Sequence, residues 1–411
     1  MDQIDWTFER SHDLFESSNT QKIVDLTDSW YWHRPMLPIR ESTYTGGPQL
    51  SIMTYNLLFA CDEEKYPIAN VSRELVLCYE IIRYNPDIVC LQEVNDKLKW
   101  EAYFKNSGYE MRVFRTSHHQ GLAICYKSDL FEEIGSHNCF FQDIDTENVK
   151  ENYFAHHGLM LLGLRYKPCF LEGFKTPSRN GIIIGNTHLP LKGLKSFNRT
   201  RCTAALFKSI DAFAGKMKAE FDPSFKFYKF MAGDFNSTIN DAAYISMVSK
   251  PVKFEAWAHE TLTRSINYDE RKFDKEKPRE AILNAQRPET TKKIRQLENL
   301  HNSISQNAIS LYNVGYGLVH GANTQPGSNE PWFSLWGEHS HELIDYIFAI
   351  EDWKGAPTNT LDDFSTTTQM KLMALLGMPT HKDMGLDELS QPAVGEFPSD
   401  HLCMMVDLEL L

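Results

Sequence analysis

Six short stretches carry side chains suited to metal or phosphate chemistry: Thr54-Tyr55-Asn56, Leu91-Gln92-Glu93-Val94, Asn186-Thr187-His188, Gly233-Asp234-Phe235-Asn236-Ser237, Ile344-Asp345-Tyr346 and Pro398-Ser399-Asp400-His401. In the fourth, an apolar run stops at a glycine and then presents a carboxylate, an aromatic and a carboxamide. Period two sends Asp234 and Asn236 to the same side of a strand end and returns Phe235 to the core. A carboxylate and an amide where a buried strand opens to solvent stabilise a core poorly and hold a metal or a phosphate well. Alone, this stretch also fits a turn in which Asp and Asn bond nearby backbone. Glu93 ends the apolar run Ile88-Val89-Cys90-Leu91, where a carboxylate is costly unless ion-paired or bound to a cation. Asp345 sits inside an apolar run and needs a partner, which at a site is usually a histidine. His188, taken alone, reads as a satisfied core histidine.

The elements that must position these groups follow from periodicity. Strands are expected at 50–56, 88–91, 121–126, 152–166, 181–189, 343–350 and 401–406, and in the run before Gly233. Helices are expected over 73–84, from 198 to about 219, near 241–249 and briefly around 371–376, within a long loop over 351–397. Arg199 and Arg201 open the long helix. There they either favour an anion, helped by the helix N-terminus, or form solvated surface charge. Residues 1–48 read as an aromatic-rich arm, with a helix near 4–17, packed on a single domain of residues 49–411. A charged helical insertion is expected at about 258–310. Strand-helix-strand units early and strands later predict an α/β fold, a two-sheet sandwich flanked by helices. The polar residues named above all fall at one end of its strands, where loops build sites.

The chain has 411 residues and a net charge of −13. That excludes a broad nucleic-acid-coating face, though not a narrow metal-dependent phosphate site. Eight scattered cysteines without a CxxC pair predict reduced, mostly buried thiols rather than a disulfide frame or a zinc site. No apolar run reaches the roughly 20 residues of a spanning helix, so no membrane partner is expected. Asp2, Asp5 and Glu9 argue against a secretory or transit segment. The expected location is therefore intracellular, cytoplasm or nucleus ahead of mitochondrion.

Taken in order, the six stretches resemble the endonuclease/exonuclease/phosphatase superfamily with its deoxyribonuclease-I-like four-layer fold, from about residue 48 to the C-terminus. Leu-Gln-Glu-Val and Pro-Ser-Asp-His-Leu resemble the deadenylase, nocturnin and angel branch. Asn-Thr-His-Leu followed by Arg-Thr-Arg (199–201) is most similar to the fungal Ngl-type RNA exonucleases. Two stretches depart from the branch pattern: Trp336 to Leu343, and His118-His119-Gln120.

The resemblance implies Glu93 as principal ligand of Mg²⁺ (one or two ions, Mn²⁺ as substitute), with Asn56 and Asp400 beside it. It implies Asp234 as a further metal ligand and as the group that orients or deprotonates the attacking water. Asn236 would hold the scissile phosphate and, with His401, would share a second ion. His188 and His401 would donate to the non-bridging oxygens, and Asp345 would orient His401. Asn186, Arg199 and Arg201 are the expected substrate contacts, with Lys192 and Lys195 extending a basic groove and Phe197 or Trp332 stacking a base.

The function implied is 3′-to-5′ exoribonuclease action on single-stranded RNA 3′ ends, releasing nucleoside 5′-monophosphates. The alternatives are a phosphatase of the same fold acting on 2′,3′-cyclic RNA ends or a small phosphorylated nucleotide, a lipid phosphodiesterase, and a binding module with a decayed site. The last would lack a metal ligand, and none of the expected positions is lost. No leucine-rich repeat precedes the nuclease stretch, so docking to a larger deadenylase complex through one is not expected.

Overall fold

The structure, a computed structural model, describes residues 8–9, 31–32, 34–58, 70–95, 97–117, 120–144, 157–191, 193–268, 283–285, 287–337, 340–384 and 397–411. His118, His119, Lys192, most of the arm before Arg34 and the central part of the charged insertion lie outside these residues.

In chain order, the strands of the two main sheets are β1 (Met36–Pro38), β2 (Gln49–Asn56), β3 (Ile88–Gln92), β4 (Tyr109–Arg115), β5 (Gly121–Lys127), β6 (Phe131–Phe140), β7 (Gly158–Tyr166), β8 (Gly181–His188), β9 (Phe227–Asp234), β10 (Gln306–Ser310), β11 (Asp345–Asp352), β12 (Met370–Leu376) and β13 (Met404–Leu410). One sheet runs β1-β12-β13-β2-β3-β5-β4 and the other β10-β11-β9-β8-β7-β6. The pairs β2/β3 and β8/β9 are parallel, and each parallel pair ends on site residues.

Strand periodicity divides the core. Ile52 and Cys90 belong to the buried cluster that joins the first sheet to Ile184 and Phe230 of the second. Their neighbours Met53, Tyr55, Val89 and Leu91 pack outward against Leu77 and Ile81 of α1 (Asn70–Tyr84) and Trp100 and Phe104 of α2 (Lys97–Asn106). The long helix α3 (Ser196–Glu220) lies against the second sheet through Leu206, Phe207 and Ile210. The expected helix near residue 241 is α4 (Ala242–Val248). Within the insertion, α5 (Ala256–Asn267) and α6 (Pro288–Asn302) share a small separate core of Leu262, Ile294 and Leu297 with Val252 and Phe254. Next come α7 (Leu311–His320) and α8 (Leu361–Thr368).

Two expectations are corrected. The helix placed at 371–376 is strand β12, because Met370, Leu372 and Ala374 are buried while Lys371 and Met373 are less so, a period of two rather than 3.6. The helix near 4–17 conflicts with Phe8–Glu9, which is extended and pairs with Tyr31–Trp32. At the C-terminal end of the arm, β1 is an edge strand of the first sheet, with Leu37 opposite Leu375.

Candidate active site

Asp234 closes β9, and its two neighbours across the ladders are His188 on β8 and Asp345 on β11. One row across three strands therefore reads histidine, aspartate, aspartate. Two carboxylates directly opposite repel unless a cationic group lies between them. Gly233 makes the row possible. Its φ is +144°, and a Cβ there would lie 2.1 Å from the Thr187 carbonyl oxygen.

The first sheet supplies the other half of the site. Asn56 ends β2, and its Nδ2 donates across the sandwich to Asp234 Oδ2 at 3.0 Å, with Glu93 Oε1 at 3.4 Å. The backbone N–H of Leu58 fixes the amide's other end. Glu93 follows β3 with φ at +58°, a left-handed residue that turns the carboxylate-bearing loop sharply off the sheet. Ser399 donates to the Asn56 carbonyl at 2.8 Å and accepts from the His401 N–H, tying the Pro-Ser-Asp-His loop to the end of β2.

His401 lies between the two aspartates. Its Nδ1 is 2.8 Å from Asp345 Oδ2, and its Nε2 is 3.8 Å from Asp234 Oδ2. His188 Nε2 approaches the same Asp234 oxygen at 3.3 Å. Ser334 donates its hydroxyl to Asp345 Oδ2 at 2.7 Å while accepting the N–H groups of Ile344 and Asp345. With both N–H groups aimed at its oxygen, the Ser334 proton is directed to the carboxylate.

Burial pushes the Asp234 carboxyl above the ordinary aspartate range, with His188 acting against that rise and Asp345 adding to it. At His401, burial works against the charged form, yet the Asp345 carboxylate and its hydrogen bond hold the imidazole well above its usual value. Asp400 is also raised by its enclosed position, and Glu93 and Asp234 add repulsion. Asn236, with φ at +48°, donates its backbone N–H to Asp234 Oδ1 at 2.9 Å and one amide hydrogen to the Leu189 carbonyl at 2.9 Å. Its second amide hydrogen is left for a ligand.

The expected substrate contacts are placed otherwise. Asn186 is fully buried. It accepts from Gln92 Nε2 at 2.8 Å and donates to the Leu91 and Ala123 carbonyls, forming an amide bridge between the two sheets beneath the site. Arg199 is buried and grips Asp241 Oδ2 through Nε and Nη2 at 3.1 and 2.8 Å. Arg201 is buried with its guanidinium 6.0 Å from the centre of the Phe197 ring, and Lys293 lies 5.8 Å from the same ring. Phe197 thus belongs to the junction of α3 and the insertion. Trp332 is partly exposed and meets His381 edge-on. The departing stretch 336–343 forms a small hairpin, Leu335–Gly337 with Ser340–Glu342, in which Trp336 stacks on His341 and donates its backbone N–H to the Asp400 carbonyl. Ser334 carried no sequence signal. Ser399 lay inside a recognised motif but had no role assigned.

The donor set fits a hard divalent cation. Asp234, Asp345 and His401 offer ligand atoms within 4.8 Å of one another. Asp345 Oδ1 is buried without a hydrogen-bond partner among the described residues. Oxygen donors dominate the rest: Glu93, Asn56 and Asp400.

Comparison with known proteins places the chain among relatives. RNA exonuclease NGL2 of Saccharomyces cerevisiae is 30% identical, over 92% of this chain and 81% of that protein. The probable RNA exonuclease NGL3 of the same yeast is 26% identical, over 93% and 83%. Among solved structures, ANGEL2, a 2′,3′-cyclic phosphatase in complex with adenosine-2′,3′-vanadate, superposes with a TM-score of 0.56 at 18% identity, over 92% of this chain and 99% of that one. The human Nocturnin catalytic domain with bound sulfate gives 0.51 at 16%, over 92% and 98%. The sequence profile of the Endonuclease/Exonuclease/phosphatase family matches residues 53–401, which span every site residue named above, and the chain belongs to that family.

Proposed function

We propose that this protein is a Mg²⁺-dependent 3′-to-5′ exoribonuclease that trims single-stranded RNA ends inside the cell and releases nucleoside 5′-monophosphates. The observation that carries the reading is the convergence of Asn56, His188 and His401 on one oxygen of Asp234, with Asp345 behind His401. The RNA exonuclease names of the yeast relatives favour RNA as the ester. The described cysteines are free thiols, in keeping with a reducing compartment.

Glu93, Asn56 and Asp400 would hold the ion beside Asp234, with Mn²⁺ as a substitute. When bound, it supplies positive charge to the phosphate oxygens. Asp234, desolvated and raised in basicity, takes the proton of the attacking water. Asp345 fixes a proton on His401 Nδ1 and favours the imidazolium, so His401 Nε2–H points at the site as a charged donor to a non-bridging oxygen. His188 gives a second donor and the second amide hydrogen of Asn236 a third. Attack is in line, and inversion at phosphorus is required.

The test incubates the protein with Mg²⁺ and 5′-labelled RNAs ending in A, U or C. A ladder of single-nucleotide steps is expected, with 5′-monophosphates as the small product. A protein that opens or removes a 2′,3′-cyclic end and leaves the 3′-hydroxyl RNAs intact refutes the exonuclease reading.

A further inference from the structure

The ladder between β2 and β13 stops at Thr54 opposite Met404. On the β13 side, Tyr55, Asn56, His401 and Cys403 all lie just past that point, although Tyr55 and Asn56 stay paired with Leu91 and Gln92 of β3. On the outer face of the sheet, a buried side-chain cluster takes over. Glu80 of α1 accepts the Tyr55 hydroxyl on Oε2 at 2.7 Å and the Cys403 thiol on Oε1 at 3.4 Å. Arg34, fully buried in the segment ahead of β1, places Nη2 at 2.7 Å from Cys403 Sγ and 3.4 Å from Glu80 Oε1. Its Nη1 reaches Met378 Sδ at 3.3 Å, and its backbone N–H and carbonyl both bond the Tyr84 hydroxyl at 3.0 Å.

We propose that Arg34 is a positioning residue of the active site: with Glu80 it extends the β2–β13 ladder through side chains and so fixes Asn56 and His401. Three features carry this. An arginine and a glutamate buried together are costly in a core that apolar residues would fill equally well, and here both are engaged with groups at two strand ends. The cluster touches one residue adjacent to Asn56 and one two residues from His401, the two strand ends that the β2–β13 ladder does not reach. Strand alternation places Tyr55 and Cys403 on the outer face and turns Asn56 to the site, so an anchor on one face sets the direction of the other. Arg34, just ahead of β1, thereby supports the site from the outer face of the sheet.

The inference rests on the metal site proposed above, and its test is chosen to stand apart from the RNA reading. Two variants are compared with the parent: Arg34→Met/Glu80→Leu, which removes the ion pair as a unit, and Tyr55→Phe, which removes one bond and leaves the ion pair in place. Calorimetry gives the Mn²⁺ affinity, a thermal scan in metal-free buffer gives stability, and RNA turnover gives kcat and KM. The paired variant is expected to keep the parent's thermal midpoint within about 3 °C, because an apolar pair replaces a buried ionic one at little net cost. Its Mn²⁺ Kd should rise about tenfold and its kcat fall about tenfold, the scale of losing an outer support, with KM steady. Tyr55→Phe should move the same readings about threefold in the same direction, again by loss of an outer support. Parent-like Mn²⁺ affinity and kcat in Tyr55→Phe overturn the proposal, whether or not the paired variant folds. A parent that binds Mn²⁺ but leaves RNA intact refutes the substrate, and the Mn²⁺ affinities still decide the role of Arg34.

Discussion

His401 Nδ1 lies 2.8 Å from Asp345 Oδ2, the oxygen to which Ser334 also donates at 2.7 Å. The carboxylate therefore sits between two donors and cannot swing without losing both. Asp345→Asn should lower kcat about 100-fold with a small change in KM, the scale of removing one preorganised transition-state group. Ser334→Ala should cost about tenfold. Steady-state kinetics on a short RNA check both, and an unchanged kcat in Asp345→Asn would remove His401 from the mechanism.

Asp234 gives a separate prediction that needs no substrate. Its carboxyl is raised above its ordinary value by burial, with His188 opposing that rise, so the charged form is disfavoured in the folded, metal-free protein. Asp234→Asn should leave metal-free stability unchanged or improved at pH 8. Millimolar Mg²⁺ should raise the melting temperature of the parent by mass action and raise that of the variant less. Turnover should fall more than about 100-fold. Equal Mg²⁺ stabilisation in the two proteins would detach Asp234 from the ion.

Glu330 makes stability depend on pH at a distance from the chemistry. One of its oxygens accepts the Tyr244 hydroxyl at 2.8 Å, and the other is buried without a hydrogen-bond partner among the described residues. Burial pushes its carboxyl from 4.5 up to about 7. The folded state thus holds the proton more tightly than the unfolded chain between those values, and stability falls as pH rises through that window. That rise corresponds to ~3 kcal/mol. Glu330→Gln should therefore stabilise the protein at pH 8 by up to that amount and have little effect at pH 4.5. Urea unfolding at both values tests it, and an equal change at both would exclude the titration as the cause.

Arg199 separates framework from substrate contact. Its pair with Asp241 has both side chains about 5% exposed. Arg199→Met leaves Asp241 buried without its partner and should cost about 3–5 kcal/mol of stability. The salt dependence of RNA binding, measured below the variant's melting point, should match the parent's, because the guanidinium faces Asp241 rather than a groove. A shallower salt slope in the variant would restore Arg199 to the substrate path.

The contrast between these residues shows what the chain discloses before folding. Asn56, Glu93, His188, Asp234, Asp345 and His401 stand out in the sequence because each is a polar group in or bordering an apolar run, a local signal that strand geometry turns into convergence. At Arg199 a basic residue at a helix start signals an anion site locally, whereas its partner Asp241 is 42 residues further on. At Asn186 a polar strand end looks like a site until the opposite sheet arrives to bond it. Ser334 and Arg34 were silent. Their roles exist only where segments distant in sequence meet, and no periodicity marks them. Over 371–376 the apolar residues are dense enough to suit either period, and only pairing with β13 decides.

The Gln92–Asn186 amide bridge has a consequence for how the protein loses activity. Asn56 and Glu93 come from one sheet and His188, Asp234 and Asp345 from the other, so the site is a seam, and the bridge beneath it is the dowel that stops the two halves from sliding. A shear that breaks those buried amides would leave every strand hydrogen-bonded and its circular dichroism unaltered while parting Asn56 from Asp234. Catalysis is thus a gauge of sandwich alignment, and it should vanish at denaturant concentrations where the sheets themselves still stand.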